Sequence, residues 1–255
     1  MYEIKVLGSS SSGNCIYVSD GETNILLDCG LTFKNTKVQL HALGIKLSSI
    51  HYILVTHEHI DHIRSVKKMV DDYGIKIIGS RGTLQSIDIN STYKQYIKDR
   101  TTINIGTITL QAYRINHDAT EPLCFSLTNS LDEKLLYLTD CGMAKYLKFK
   151  DYDVYIIEAN YSLETLEENY NNNLLHKVRY ERALSGMGHL SINETIEFLK
   201  RNMGSNTQKI ILSHLSSENS NKESFLKAAK SQLSFDEVYI AEEGFNINCG
   251  TINPF

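Results

Sequence analysis

Proline is nearly absent from this 255-residue chain, with two in all, and no stretch rich in glycine, proline or serine reads as a linker. The simplest organisation is therefore one domain over 1–255. Cysteine is sparse and dispersed, at Cys15, Cys29, Cys124, Cys141 and Cys249, with no C-x-x-C pair. An odd, scattered set in a chain this long points to free thiols in a reducing compartment. The opening "MYEIKVLGSS" has no basic n-region and no apolar h-region. Nor does any apolar run approach the roughly 20 residues that span a bilayer. The expectation is a cytoplasmic protein with no membrane association. An excess of positive charge is missing too: 26 Lys and Arg stand against 30 Asp and Glu, a net charge of -4. Any reading that involves nucleic acid must then rest on a local site.

What is present is an ordinary globular composition, 42% hydrophobic and 22% charged. Short apolar runs at 2–8, 15–20, 23–30, 49–56, 75–80, 107–115, 124–129, 133–140, 153–160, 208–214 and 236–244 read as strands. A helix is expected from about Asp61 to a stop at Gly74, another over 191–201, and a third around 219–231. Ser191 and Glu194 have capping-box spacing ahead of the second. Hairpins mixed with helices suggest two packed sheets covered by helices. The stretch at about 162–188 differs in texture: it is polar and Asn-rich, with Lys177, Arg179 and Arg182 close together. It reads as a polar helical insert, either a solvated one or a substrate-facing arm.

The chemistry concentrates in "VTHEHIDH", 55–62. An apolar strand ends at Thr56, so the following residues occupy the C-terminal edge of a strand, a usual place for sites in α/β sheets. Residues two apart in extended chain face the same way, so His57 and His59 can point at one metal ion. Asp61 and His62 lie where the chain turns into a helix and can face a second. Glu58 and Ile60 read as spacers. Imidazole and carboxylate together suit zinc, manganese or iron without a thiolate.

The H-x-H-x-D-H pattern resembles that of the metallo-β-lactamase superfamily, and further landmarks follow in that family's order. They are "ILLDCG" with Asp28, "INHDATEP" with His117, "YLTDCG" with Asp140 and "ILSHLS" with His214. The resemblance implies a four-layer αββα sandwich of the α+β class, two packed mixed sheets flanked by helices. It implies one ion on His57, His59, His117 and Asp140, a second on Asp61, His62, Asp140 and His214, and Asp28 supporting the metal histidines from behind. A dinuclear site of this kind activates a hydroxide for hydrolysis, with Asp61 orienting it. Such a cluster serves thioesters, lactones and phosphodiesters alike.

"IIEAN" and "GHLS" narrow the substrate. Glu158 and His189 resemble the Glu–His pair of ribonuclease Z, which is assigned to protonating a leaving alkoxide; Asn160 stands where that family has threonine. From about 6 to 219 the chain is most similar to the YycJ-like (WalJ) branch of the superfamily, for which DNA exonuclease activity is proposed. Asp61, Glu158 and His189 are then the expected catalytic residues, and DNA, or alternatively RNA, the expected substrate. Ser10, Ser11, Ser12 and Asn14 of the "SSSSGN" loop, with Arg182, are candidate phosphate contacts. Two alternatives remain open: a small-molecule hydrolase of the glyoxalase II or lactonase type, and a metal-binding regulatory protein without turnover.

Overall fold

The computed structural model describes residues 1–249, so positions 250–255 of the expected single domain lie outside the described residues. The chain opens with a hairpin, β1 (Tyr2–Ser10) and β2 (Gly13–Ser19), followed by β3 (Asn24–Leu27) and helix α1 (Phe33–Ala42). Next come β4 (Tyr52–Leu54), α2 (Ile60–Ile63), α3 (Val66–Tyr73), β5 (Lys76–Gly79), α4 (Arg81–Gln85) and β6 (Lys94–Tyr96). A meander follows, β7 (Thr102–Ile105), β8 (Ile108–Arg114) and β9 (Leu123–Thr128), and then β10 (Lys134–Leu138) and β11 (Val154–Glu158). The insert supplies α5 (Leu163–Asn171) and α6 (Lys177–Leu184). The last elements are α7 (Ile192–Asn202), β12 (Lys209–Ser213), α8 (Lys222–Leu233), β13 (Val238–Ile240) and β14 (Asn246–Cys249).

The described residues group into two compact units, one of 1–114, 119–135 and 241 onward, the other of 115–118 and 136–240. The first unit contains a seven-stranded sheet in the order β14-β1-β2-β3-β4-β5-β6. It is antiparallel through β3 and parallel from β3 to β6. Leu7, Tyr17, Leu26, Ile53, Val66 and Met69 belong to its core, into which the sheet and the helices α1, α3 and α4 all contribute side chains. In β8 buried and half-buried residues alternate, as a strand with one covered face requires. In the second unit β11, β12 and β13 run parallel. All five residues of β11 are buried, as in a strand covered on both faces.

The expected helix from Asp61 to Gly74 is two helices. The break falls at Arg64–Ser65 because Ser65 is drawn out of the helical ladder: its N–H donates to Cys29 O at 2.9 Å and its hydroxyl to Leu31 O. Tertiary bonds override local propensity there. Gly74 does stop α3, in the left-handed conformation at φ 66°. The capping box of Ser191 and Glu194 opens α7. Helices α1 and α4 and strands β6, β7 and β14 were not expected. No helix among the described residues is long and apolar enough to cross a membrane.

Three residues just beyond strand ends have left-handed backbones: Asp28 after β3 (φ 58°), Asp140 after β10 (φ 49°) and His214 after β12 (φ 53°). Non-glycine residues occupy this region infrequently, Asp and His more readily than most. Each turns its strand sharply.

Candidate metal-binding clusters

In the first unit Asp28 organises the motif. Its Oδ1 accepts the Thr56 N–H at 2.8 Å, its carboxylate accepts the Thr56 hydroxyl at 3.0 Å, and its Oδ2 lies 2.8 Å from His62 Nδ1. Asp28, Thr56, His57 and His62 are completely buried. A carboxylate at Nδ1 fixes the Nδ1–H tautomer and leaves Nε2 with its lone pair, which is the arrangement of a metal-ligating histidine. Thr56 does the same for His57: its proton is committed to Asp28, so its oxygen accepts from His57 Nδ1 at 3.0 Å. His57 Nε2 and His59 Nδ1 converge to 3.1 Å, and Asp61 Oδ2 lies 3.5 Å from His62 Nε2.

Gly30 lets this cluster form. A Cβ there would stand 1.6 Å from the Asp61 carbonyl oxygen, so the backbone of 61–62 rests directly on residue 30. Asn14 is buried, with its amide nitrogen 3.2 Å from His62 Nε2. Ser10, Ser11 and Ser12 lie at the exposed end of the β1–β2 hairpin, where the Ser10 and Ser12 hydroxyls are 2.7 Å apart. Glu58 is more than a spacer. It accepts the Thr120 N–H at 2.7 Å and the Thr120 hydroxyl at 2.6 Å, fixing the segment that follows His117 in the chain. Burial raises its pKa, but the Thr120 hydrogen bonds outweigh this and hold it below the usual value.

In the second unit Asp140, Glu158, His189 and His214 offer ligand atoms that all lie within 4.8 Å of one another. Glu158 is completely buried and accepts from four directions. Its Oε1 takes His189 Nδ1 at 2.7 Å and His214 Nδ1 at 3.1 Å; its Oε2 takes the Cys141 N–H at 3.0 Å and the Leu190 N–H at 3.2 Å. Glu158 thus fixes the orientation of the His214 ring through Nδ1. The Asp140 carboxylate lies 3.2 Å from His189 Nδ1, 3.4 Å from His214 Nδ1 and 3.7 Å from His117 Nε2. His117 turns Nδ1 toward the carbonyls of Met187 and Gly188, at 3.1 and 3.0 Å, and Nε2 toward the carboxylates of Asp118 and Asp140, at 3.3 and 3.7 Å. Burial pushes the His117 pKa down against the pull of Asp140, Glu158 and Asp118, so the ring is a neutral donor. Burial alone would also lower His189, but the Glu158 charge and hydrogen bonds to Asp140 and Glu158 push it up to about 10. Burial would raise Glu158; the facing His189 overrides it and holds that carboxyl below its usual value. Arg182 makes a two-pronged contact with Asp118, at 2.6 and 2.8 Å, beside His117.

The segment 23–215 matches the model of the β-lactamase superfamily domain. The chain belongs to this superfamily. Within it the chain falls in the YycJ-like branch. It is 31% identical to a protein named exodeoxyribonuclease WalJ from Streptococcus pneumoniae, over 87% of this chain and 84% of that one. It is 27% identical to exodeoxyribonuclease YycJ of Bacillus anthracis, over 95% and 93%. The metallo-β-lactamase fold protein YhfI of Bacillus subtilis superposes with a TM-score of 0.74 at 16% identity, over 97% of this chain and 100% of that one. The fold is therefore the expected αββα sandwich, and the superfamily member described here is a metal-dependent hydrolase.

The donor set fits divalent ions. Four histidines, His57, His62, His117 and His214, have Nδ1 turned to an acceptor, which makes Nε2 the ligating nitrogen, with carboxylates beside them. Burial pushes the thiol of Cys141, at the second cluster, up to about 12. Three supporting residues escaped the sequence reading. Thr56 relays Asp28 to His57, Glu58 holds the 120 loop, and Asn160 donates its side-chain amide to His214 O at 2.8 Å, bracing a residue in a left-handed turn. The Asn160 departure from threonine was the only visible signal, and it marks a helper of His214.

Proposed function

We propose that the two clusters together hold two divalent ions and that the protein is a phosphodiesterase degrading DNA from an end. On this reading His57, His59, His117 and Asp140 take one ion, and Asp61, His62, Asp140 and His214 the other; zinc, manganese and iron all suit the donors. The two compact units then act as a single domain. Bound ions would supply a nucleophilic water at neutral pH and neutralise charge on the phosphoryl oxygens. Asp61 orients the attacking water. Asp28, Thr56 and Glu158 keep the imidazoles in the ligating tautomer.

The observation that carries the reading is the His189–Glu158 contact at 2.7 Å. An alkoxide is a poor leaving group and needs a proton as its P–O bond breaks. His189 turns Nδ1–H to the Glu158 and Asp140 carboxylates, which favours the imidazolium and makes Nε2–H the proton offered to the leaving oxygen. Thioester hydrolysis, whose thiolate leaves readily, has less use for such an acid. The names of the two curated relatives support a DNA substrate. All five cysteines are free and buried, in keeping with work in a reducing compartment.

The test is purified protein with Mn²⁺ or Zn²⁺ against labelled single- and double-stranded DNA, RNA and a thioester, with the double variant Asp61→Ala/His62→Ala as control. His189→Ala is expected to lose ~10²–10⁴-fold in phosphodiester cleavage while keeping both metals. Thioester turnover with no cleavage of any nucleic acid would sink the proposal.

A further inference from the structure

Beside His189 the second unit has a cavity of about 640 Å³ that no step above uses. Its walls come from the loop after Asp140, the start of α5, the end of α6 and the first turn of α7. Met143, Leu163, Ala183 and Leu184 make it largely apolar, and Leu163 and Leu184 are 42% and 44% exposed. Large apolar side chains exposed beside an imidazole are suited to a flat, amphipathic ligand.

The charges around the cavity are already committed. Glu197 pairs with Lys200 at 2.8 Å, Glu194 closes the cap on Ser191, and Arg201 donates to Ala144 O at 3.4 Å. Lys145 places its ammonium over the Tyr146 ring. The apolar share of the lining suits the base and sugar of a nucleoside. A volume of this size takes one nucleoside and excludes a duplex.

We propose that this cavity seats the nucleoside on the leaving side of the scissile phosphodiester, placing its sugar oxygen at His189. The inference rests on the phosphodiesterase reading and deepens it. In the step it serves, the oxygen of water bonds to phosphorus and releases a proton to solvent, the bond from phosphorus to the sugar oxygen breaks, and that oxygen takes the Nε2 proton of His189, which solvent then restores. Base contacts in the cavity then fix which oxygen meets the acid, and seating one terminal nucleoside accounts for attack at an end.

The experiment fills the cavity. Asn193 is exposed on the first turn of α7 and lines it. Asn193→Trp is compared with the wild type for thymidine and deoxyadenosine binding, by saturation-transfer NMR with and without Mn²⁺, and for KM on single-stranded DNA. The expected result is nucleoside binding to the wild type, weakened about tenfold in the variant, and a rise of about tenfold in KM at unchanged metal content. Leu184→Trp, on exposed α6, repeats the test should Asn193→Trp fail to fold. If the wild type cleaves DNA, yet nucleosides do not bind and KM moves less than twofold in both variants, the inference is overturned and the phosphodiesterase reading stands. Absence of nucleic-acid cleavage by the wild type overturns both.

Discussion

The tripeptide Asp-Cys-Gly occurs twice, at 28–30 in the first unit and 140–142 in the second. The two corners are built alike. Each aspartate leaves a strand with a left-handed backbone, and each cysteine is buried. Gly30 N–H donates to Asn14 O at 2.8 Å, and Gly142 N–H to Asn116 O at 2.7 Å. Their carboxylates nevertheless do different work. Asp28 is spent on Thr56 and His62, whereas Asp140 lies among His117, His189 and His214. The third bond of each corner shows why. Cys29 N–H meets a backbone carbonyl, that of His62; Cys141 N–H meets the Glu158 carboxylate, which also holds two imidazoles. The tripeptide sets the turn, and what closes over it sets the role.

Breaking each corner at its aspartate tests that distinction most strongly. Asp140→Asn is expected to lower kcat/KM by ~10³-fold or more, because it removes a proposed bridging ligand and a partner of His189 together. Metal content by plasma mass spectrometry falls with it. In the wild type, an ion at a hundredfold excess over its Kd adds about 2.7 kcal/mol to stability; Asp140→Asn is expected to abolish that rise in Tm and leave the metal-free protein nearly unchanged.

The glycines give the next effect. A Cβ at Gly30 would meet the Asp61 carbonyl at 1.6 Å, whereas one at Gly142 would meet Gly186 backbone at 2.3 Å. Gly30→Ala is expected to cost about 3 kcal/mol in urea denaturation and Gly142→Ala about 1–2 kcal/mol. Equal losses would mean that the second corner is packed as rigidly as the first.

Asp28→Asn comes third, and it inverts the Asp140 result. The amide cannot serve as acceptor for both Thr56 and the His62 Nδ1–H, so buried groups lose partners. The metal-free protein is expected to lose about 1–3 kcal/mol. Metal affinity falls ~10–100-fold, the usual cost of removing the partner behind a ligand. A fall in affinity with no loss of metal-free stability would show that Asp28 acts on the ions more directly than its contacts imply.

The residues of the two clusters were legible in the sequence for a physical reason. His57, His59, Asp61 and His62 are spaced within one strand-to-helix turn, and the supporting Asp28 and the candidate ligands Asp140 and His214 each follow an apolar strand, so pattern and position coincide. The Gly74 stop and the Ser191–Glu194 cap are local for the same reason. The break at Ser65 was not legible, because its bonds go to Cys29 and Leu31, distant in sequence. Glu158 was read as the partner of His189 alone; its second hold, on His214, joins residues from different strands that no spacing relates.

Glu58 is the mildest place to sharpen the comparison. Its neighbours in the motif form the first cluster, while its own carboxylate reaches the chain just after His117, which belongs to the second. Its hydrogen bonds hold the Thr120 backbone and hydroxyl, and it is half-buried, so water can replace part of what is lost. Glu58→Gln keeps one carbonyl oxygen as acceptor. It is expected to cost roughly 0.5–1 kcal/mol in urea denaturation and to weaken metal binding by less than about threefold. Glu58→Ala removes both acceptors and is expected to cost about 1–2 kcal/mol, with the larger effect on the ion that His117 is proposed to hold. Competition titrations with a chromophoric chelator separate the two ions. If Glu58→Ala weakened the Asp61–His62 ion instead, Glu58 would be acting within the motif itself, and its bond to Thr120 would be incidental to the metals.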